Sequence, residues 1–271
     1  PQSRMGVENM LRTSFQQALK YKEKWEAYEA DDNPRKVAPE YDLRMQTLVD
    51  ILNGEVWVNC HSYRADEIYM LMKVFSDFGI EKINFQHANE AFKVAPELAA
   101  FGATASVFAD WWAYKLEVYY STAYNAAILH ENGVLTSINS DSGELIRHLF
   151  HEAAKTQKYG NLSDDEALAM ITLNPAKQLG IDDRVGSIEE GKDADIAIFD
   201  GHPLSIYAIP LMTFVDGVKY FDKENDQKDQ RLYVDPESTI EEITLFDRHE
   251  MHRCMEGAEF LNFEYLFSNQ K

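Results

Sequence analysis

A strand pattern followed by a polar loop and a helix pattern occurs four times between residues 55 and 158. The predicted strands are short, apolar and rich in β-branched or aromatic residues, and they cover 55–60, 82–86, 103–107 and 134–138. Such alternation predicts a parallel sheet whose strands are joined by crossover helices. Four units are too few to close an eight-stranded barrel, which takes about 250 residues. The sequence therefore predicts an α/β fold, either an open sheet or the second half of a barrel.

The pattern changes after the last of these helices, which is predicted over 144–158. Ser163 and Glu166 form a capping-box pattern, and Asn174-Pro175 is predicted to be an N-cap with proline at the first helical position. Short strands over 196–199, 213–215 and 218–221 follow, the last two joined by an Asp216-Gly217 hairpin turn. We expect three parts: 1–185 with the β-α units, 186–221 with a small β domain, and 222–271 as an acidic C-terminal extension with a helix near 240–256.

Charge and cysteine content limit the classes of partner. The formal net charge is −20 over 271 residues, which argues against nucleic acid or an anionic membrane surface as a partner. No apolar run approaches the length of a membrane span. The two cysteines, Cys60 and Cys254, cannot define a disulfide framework and leave the compartment open.

Two histidines and one aspartate follow the ends of predicted strands. His61, His87 and Asp141 lie one to three residues beyond those ends, and in a parallel sheet such positions share one edge. Two imidazoles and a carboxylate are a suitable ligand set for Zn²⁺ or a similar divalent ion, which would lower the pKa of a bound water to about 7. A carboxylate beside that water could act as general base. The alternative is that each of the three is an ordinary structural or turn residue.

Weaker candidates for substrate contact lie in the loops after the first and third predicted strands. Arg64 could bind a substrate carboxylate, or it could cap or pair at the start of the next helix. Trp111, with Trp112 and Tyr114, could line an apolar pocket mouth or simply pack within its loop.

Two long stretches resemble a known family. Residues 139–155 read NSDSGELIRHLFHEAAK, and residues 159–207 read YGNLSDDEALAMITLNPAKQLGIDDRVGSIEEGKDADIAIFDGHPLSIY. Together with FVDGVKYFD at 214–222, they closely resemble the C-terminal part of the amidohydrolase superfamily, in its imidazolonepropionase-like branch. The resemblance runs from about Pro1 to Asp222 and is most specific between Ser140 and Gly217.

The resemblance implies a fold and a site. The family fold is a (β/α)8 TIM-like barrel with a small β-sandwich built from both chain ends, so residues 1–185 would hold strands five to eight. The family uses one or two divalent metals, here expected to be Zn²⁺, to hydrolyse amide, peptide-like or cyclic amide C–N bonds. By position, His61 and His87 match the metal histidines after strands five and six. Asp141 matches the aspartate after strand eight, which binds metal and takes a proton from the attacking water.

The family pattern also includes an HxH pair after strand one and a lysine or glutamate after strand four. HxH does not occur in this sequence, and Pro1 falls where the loop after strand four would begin. We therefore expect a fragment of a longer amidohydrolase. The alternative is a non-catalytic pseudoenzyme or interaction module on the same barrel. The expected partner is a small-molecule or dipeptide-like substrate, without nucleic acid or membrane. Metal number, homo-oligomer formation and compartment stay open, and export of a longer protein is one option.

Overall fold

The computed structural model describes residues 2–111 and 115–225. Trp112, Tyr114, Cys254 and the helix predicted over 240–256 lie outside these ranges. The described helices are α1 (Arg4–Ala30), α2 (Leu43–Leu52), α3 (Ala65–Phe78), α4 (Ala95–Phe101), α5 (Asn125–Glu131), α6 (Leu149–Gly160), α7 (Asp164–Ala169) and α8 (Leu173–Leu179). The described strands are β1 (Val58–Ser62), β2 (Ile83–His87), β3 (Thr104–Val107), β4 (Thr136–Ile138), β5 (Ile196–Phe199), β6 (Pro210–Val215) and β7 (Val218–Asp222). Short 3-10 turns cover Ala91–Val94, Leu116–Val118 and Leu145–His148.

The first four strands form one parallel sheet in the order β1-β2-β3-β4. Each connection steps to the neighbouring strand in the same direction, and α3, α4 and α5 lie in the connections. Because crossovers between parallel strands are nearly always right-handed, unreversed steps place the connecting helices on one face of the sheet. A doubly wound sheet would reverse its strand order. The predicted parallel α/β sheet is confirmed, and its described strands are wound in one direction.

The two faces of this sheet differ in polarity. Phe85 and Ala105 are fully buried in the apolar core that the sheet shares with the connecting helices. On the other face, Asn84 Nδ2 and Gln86 Nε2 both donate to Asn59 Oδ1, at 3.2 and 3.0 Å. Successive side chains of a strand point to opposite faces, so one strand can serve both surfaces. The polar face is available for a binding site.

The outer edge of β4 is covered by the segment that leads into α8. The N–H of Ile138 donates to the carbonyl of Met170 at 2.9 Å. Nδ2 of Asn174 donates to the carbonyl of Thr136 at 2.8 Å. These two contacts satisfy backbone groups that β4 directs away from β3.

The long first helix forms an outer layer. Helix α1 packs on α2 and α3, and Phe15 meets Phe75 edge to face with ring centroids 5.8 Å apart. Ser3 caps the helix by accepting a hydrogen bond from the N–H of Gly6. No helix in residues 2–111 or 115–225 is both long and apolar enough to cross a bilayer.

The last three strands form a separate antiparallel sheet in the order β5-β6-β7. Asp216 and Gly217 join β6 to β7 with φ values of 51° and 73°. A two-residue hairpin with positive φ at both positions is the turn that an Asp-Gly pair favours, so the predicted hairpin is confirmed.

Three predicted element boundaries are wrong in ways that affect the site. The second strand runs from Ile83 to His87 rather than over 82–86, so His87 ends β2 instead of following it. The first strand runs from Val58 to Ser62 rather than over 55–60, so His61 lies within β1 and not in the loop after it. The predicted helix over 144–158 is a 3-10 turn followed by α6. Its start is altered because Ser142 Oγ accepts the N–H groups of Glu144 and Leu145, which competes with regular helical bonding.

The prediction of an N-cap at Asn174 is also wrong. Helix α8 begins at Leu173, and Thr172 is its N-cap residue. The amide of Asn174 is instead used to bond the edge of β4, a tertiary contact that the local sequence does not reveal. The capping box of Ser163 and Glu166 at the start of α7 is confirmed.

Candidate functional site

Two of the predicted metal ligands contact each other directly. His61 Nδ1 and His87 Nε2 lie 2.7 Å apart at the carboxyl ends of β1 and β2. At this distance one ring nitrogen donates a hydrogen and the other accepts it. His87 is buried at 4% exposure, whereas His61 is exposed. The two rings therefore form a pair with a buried member and an accessible one.

The carboxylate of Asp141 lies beside this pair. Its Oδ2 is 4.0 Å from His87 Nε2, the same nitrogen that faces His61. The Asp141 side chain is 60% exposed and follows the end of β4. The structure therefore brings His61, His87 and Asp141 to one edge of the sheet, as the sequence predicts.

His87 is held in its neutral form. Burial lowers the pKa of His87 from 6.5 to about 4, with smaller contributions in the same direction from His61 and Lys115. The negative charge of Asp141 opposes this shift. A neutral imidazole keeps one nitrogen lone pair available, which is the form that binds metal ions.

The backbone is left-handed at the buried His87, at Ala88 after it, and at the exposed Asp141. φ is 69° at His87, 37° at Ala88 and 43° at Asp141. Positive φ is uncommon outside glycine, although His and Asp tolerate it better than most residues. Such conformations cost of order 1–3 kcal/mol each and collect at functional sites. Two of the three candidate ligands share this feature.

A column of aromatic rings encloses His87. Tyr63 stacks on the imidazole with centroids 5.1 Å apart and planes 16° apart, and Phe108 stacks on it at 4.9 Å and 23°. Trp111 stacks on Phe108 at 4.6 Å and 15°. Trp111 is thus part of the ring column, one ring away from His87. Its predicted contact with substrate stays a prediction.

Arg64 is engaged at the start of α3. Its Nε and Nη2 donate to the two carboxylate oxygens of Asp66, at 2.9 and 3.1 Å. Arg64 is the N-cap residue of α3, but the side chain that caps the helix is Glu90, whose Oε2 accepts the N–H of Ala65 at 3.1 Å. The pairing alternative for Arg64 is therefore present in the structure, and a role in substrate binding would require Arg64 to exchange partners.

A cleft of about 770 Å³ opens on the polar face of the sheet next to Asp141. Apart from Asp141, the described residues that line it carry no formal charge. Its lining includes Asn84, Gln86, Ser106, Asp141, Ile146 and Gln178. Amides and hydroxyls beside several aliphatic side chains suit a small ligand with both polar and apolar portions.

Gln178 anchors α8 against this cleft. It is 3% exposed, and its Nε2 donates to the carbonyls of Ala105 and Leu135, each at 3.0 Å. Ser137 Oγ donates to its Oε1 at 2.6 Å. Sequence reasoning missed Gln178, because nothing local marks a glutamine near the end of a helix as a sheet contact.

The predicted ligands do not form a complete metal shell. Among the residues that the structure describes, no three His, Cys, Asp or Glu side chains are grouped so that they could hold an ion together. His61 and His87 are bonded to each other, and Asp141 stands 4.0 Å from the pair. The observed arrangement is a histidine pair with a carboxylate beside it.

The aromatic residues that touch His87 were also missed. Tyr63 follows β1 and Phe108 follows β3, so both occupy strand-end positions like those of the candidate ligands. That common placement is a signal that the sequence contains. The sequence does not show which ring plane each side chain adopts.

Comparison with known proteins supports one family. Residues 117–227 match the sequence model of the Amidohydrolase family. Over 233 residues the chain is 32% identical to the amidohydrolase tasK of Hapsidospora irregularis, an alignment that covers 82% of this chain and 24% of that protein. Over 78 residues it is 37% identical to an imidazolonepropionase of Thermoplasma volcanium, covering 28% of this chain and 19% of that protein. The chain thus spans a quarter or less of the length of these curated relatives.

A solved structure agrees with this relationship. The crystal structure of an amidohydrolase from Thermotoga maritima superposes with a TM-score of 0.74 at 31% sequence identity. The match covers 82% of this chain and 57% of that one. The resemblance predicted from the sequence is confirmed, and the chain belongs to the amidohydrolase superfamily.

Proposed function

We propose that this chain carries part of the catalytic centre of a metal-dependent hydrolase that cleaves a C–N bond in an amide, a peptide-like substrate or a cyclic amide. The observation that carries the proposal is the convergence of His61 Nδ1, His87 Nε2 and Asp141 Oδ2 at one edge of a parallel sheet. In α/β barrels that edge is where active sites are built. We further propose that the sheet is the C-terminal half of a (β/α)8 barrel, with β5–β7 as part of a β-sandwich.

The donor chemistry fits a divalent ion, and the family is generally metal-dependent. Two imidazole nitrogens and a carboxylate oxygen are ligands that Zn²⁺ accepts. His61 and His87 would bind through the two nitrogens that already face each other, and Asp141 through Oδ2. Because these three do not make a closed shell among the described residues, an ion held here would need further ligands.

Each residue has a distinct task in the proposed reaction. A bound divalent ion makes a water molecule acidic enough to lose a proton near neutral pH. Asp141, exposed and beside the histidine pair, accepts the proton of the attacking water and can return it to the leaving nitrogen. His87, neutral because its pKa is about 4, keeps its lone pair for binding rather than for proton transfer.

The cleft next to Asp141 suggests the size and character of the substrate. Its amide and hydroxyl lining can bond a small-molecule or dipeptide-like substrate, and Ile146 can contact an apolar group. Trp111, which stacks on Phe108, would contact an apolar group of the substrate, and Arg64 would bind a substrate carboxylate after it releases Asp66.

One observation favours the alternative of a non-catalytic pseudoenzyme or interaction module. The direct hydrogen bond between His61 and His87 occupies the two nitrogens that a metal would need. In a non-catalytic protein this bond would be permanent. In a metalloenzyme it would be broken when metal binds.

Metal titration of the purified chain separates these two functions. Zn²⁺ affinity is measured by competition with a chromophoric chelator, and hydrolysis is screened with N-acyl amino acids, dipeptides and cyclic amides. We expect Zn²⁺ binding that Asp141→Asn weakens and Asp216→Asn does not. Asp216 is a matched control because it is also an exposed aspartate with positive φ, but it lies in the β6–β7 turn. Equal affinities for wild type and Asp141→Asn, with no hydrolysis, would favour the non-catalytic alternative.

A further inference from the structure

We propose that Tyr63 and Phe108 are positioning residues, which hold the imidazole of His87 by stacking and so aim its Nε2 at the metal position. The inference rests on the proposed function, in which His87 binds a metal ion through Nε2. Its physical basis is independent of metal, because the stack and the His61–His87 contact are both present without one.

The first argument is that the usual restraint on a metal-binding histidine is weak at His87. Such a ring normally donates the N–H of its other nitrogen to a carboxylate, a carbonyl or a water, which fixes its orientation. His87 Nδ1 is buried and has no hydrogen-bond partner among the described residues. The side chain of Asn139 acts on the His87 ring as a weak hydrogen-bond partner. Neither His87 Nδ1 nor Asn139 Oδ1 has a hydrogen bond of ordinary geometry, so this restraint is weak.

The second argument is that the backbone does not fix the ring torsion of His87. His87 is the last residue of β2, and both His87 and Ala88 have left-handed φ values. The ladder includes His87, which is aligned with Ser62 and Val107, so its backbone is fixed while its ring torsion is not. Rotation of the ring about its χ2 bond would separate Nε2 from His61 Nδ1, and terminal torsions of this kind are broad.

The third argument is that two near-parallel rings stack on the imidazole. Tyr63 and Phe108 contribute stacks at 5.1 and 4.9 Å, within the range that favours aromatic pairs. A rotated imidazole would lose both contacts at once. The stack therefore selects the ring plane in which Nε2 faces His61.

The two flanking rings are themselves fixed. Lys115 Nζ lies 3.6 Å from the centroid of the Tyr63 ring, and the Tyr63 carbonyl accepts the N–H of Glu90 at 2.9 Å. Phe108 is 3% exposed and stacks on Trp111. Because these two rings are fixed, their stacking restricts the ring plane of His87.

The test compares variants that remove a ring with variants that keep it. Tyr63→Leu and Phe108→Leu each remove one stacking face, whereas Tyr63→Phe keeps the ring and loses only the hydroxyl. Phe75→Leu is the matched control, since Phe75 is 2% exposed on α3 and packs against Phe15 of α1. We expect Zn²⁺ affinity to fall about 10- to 100-fold in the first two variants, as it does when other orienting groups are lost. Tyr63→Phe and Phe75→Leu should bind as wild type.

A metal-free measurement keeps this inference separate from the proposed function. Nitrogen chemical shifts of ¹⁵N-labelled histidine report which ring nitrogen is protonated and hydrogen-bonded. We expect the signals of His61 Nδ1 and His87 Nε2 to move toward tautomer-averaged values in Tyr63→Leu and Phe108→Leu only. Unchanged signals in both variants, or an equal change in Phe75→Leu, would overturn the positioning role. If the signals respond as expected but wild type binds no Zn²⁺, the proposed function fails and the positioning role stands.

Discussion

His61 and His87 form a hydrogen-bonded pair although they are not register partners. His61 is aligned with Gln86, and His87 is aligned with Ser62. Strict alternation would therefore place the two side chains on opposite faces of the sheet. They meet at 2.7 Å because His87 is the last residue of β2 and its φ of 69° has already left the extended conformation. At the end of a strand, backbone conformation can override face alternation.

Replacement of Asp141 tests its role as proton acceptor. Asp141→Asn should reduce hydrolysis by about 10²- to 10⁴-fold, the usual contribution of a general acid-base group. The fold should persist, because the side chain is 60% exposed and Asn tolerates a positive φ. Turnover is measured on the substrate found in the hydrolysis screen, and circular dichroism monitors the fold. Asp216→Asn should leave both unchanged. Full turnover in a folded Asp141→Asn variant would exclude the assigned role.

Replacement of His61 tests the metal pair from its accessible side. His61→Ala should lower Zn²⁺ affinity at least tenfold, because it removes one of two ligand nitrogens. His61 is exposed, so the free energy of unfolding should change by only about 0.5 kcal/mol, which is ordinary for a surface position. Chelator competition and urea unfolding measure the two quantities. His202→Ala is the control, since His202 is half-exposed and pairs with Asp164 at 3.1 Å. Equal affinities for His61→Ala and His202→Ala would remove His61 from the site.

The contact between α5 and α6 predicts that one substitution lowers stability by itself and that a second substitution removes this loss. A Cβ added at Gly160 would overlap the Cβ of Ala127. Gly160→Ala should therefore destabilise the fold by about 1–3 kcal/mol, the usual cost of overpacking. In an Ala127→Gly background the same change should be neutral or stabilising, because the clash is gone and alanine favours helix more than glycine does. Urea unfolding of the four proteins completes the cycle. Additive effects would show that the helices adjust without a clash.

The capping box of α7 predicts an acid-sensitive contribution to stability. Hydrogen bonds from the backbone and side chain of Ser163, with His130 as a further partner, lower the pKa of Glu166 from 4.5 to about 2. Since the folded pKa is depressed, the stabilisation is complete above about pH 4.5 and is lost as the pH falls toward 2.

Glu166→Gln isolates this effect. Glutamine still has an acceptor for the Ser163 N–H but carries no titrating charge. Urea midpoints of both proteins are measured at intervals between pH 7 and pH 2.5. The advantage of wild type over the variant should shrink below pH 4.5. A constant difference across the whole range would show that the charge of Glu166 adds nothing.

The coarse architecture followed from the sequence because it depends on local signals. Apolar β-branched runs and their polar ends placed all four parallel strands, and Asp216-Gly217 placed the hairpin turn. The candidate ligands were found for the same reason, since strand ends in a parallel sheet share an edge. Contacts between distant residues were not predictable in this way.

The missed features all depend on through-space partners. The amide of Asn174 bonds a strand 38 residues earlier, and Gln178 bonds the carbonyl of Ala105. Neither residue differs locally from a surface helix residue. The stacking of Tyr63 and Phe108 on His87 likewise depends on the rotamers of three side chains that are far apart in the sequence.

The covered edge of β4 has a consequence for association. An edge strand with unbonded N–H and C=O groups is a template for pairing with another chain and hence for aggregation. On β4 the outward N–H of Ile138 and the outward carbonyl of Thr136 are already bonded to Met170 and Asn174. Any strand added beyond β4, including the first strand of the proposed barrel, must first replace both bonds, so closure of a barrel would require Met170 and Asn174 to release this edge.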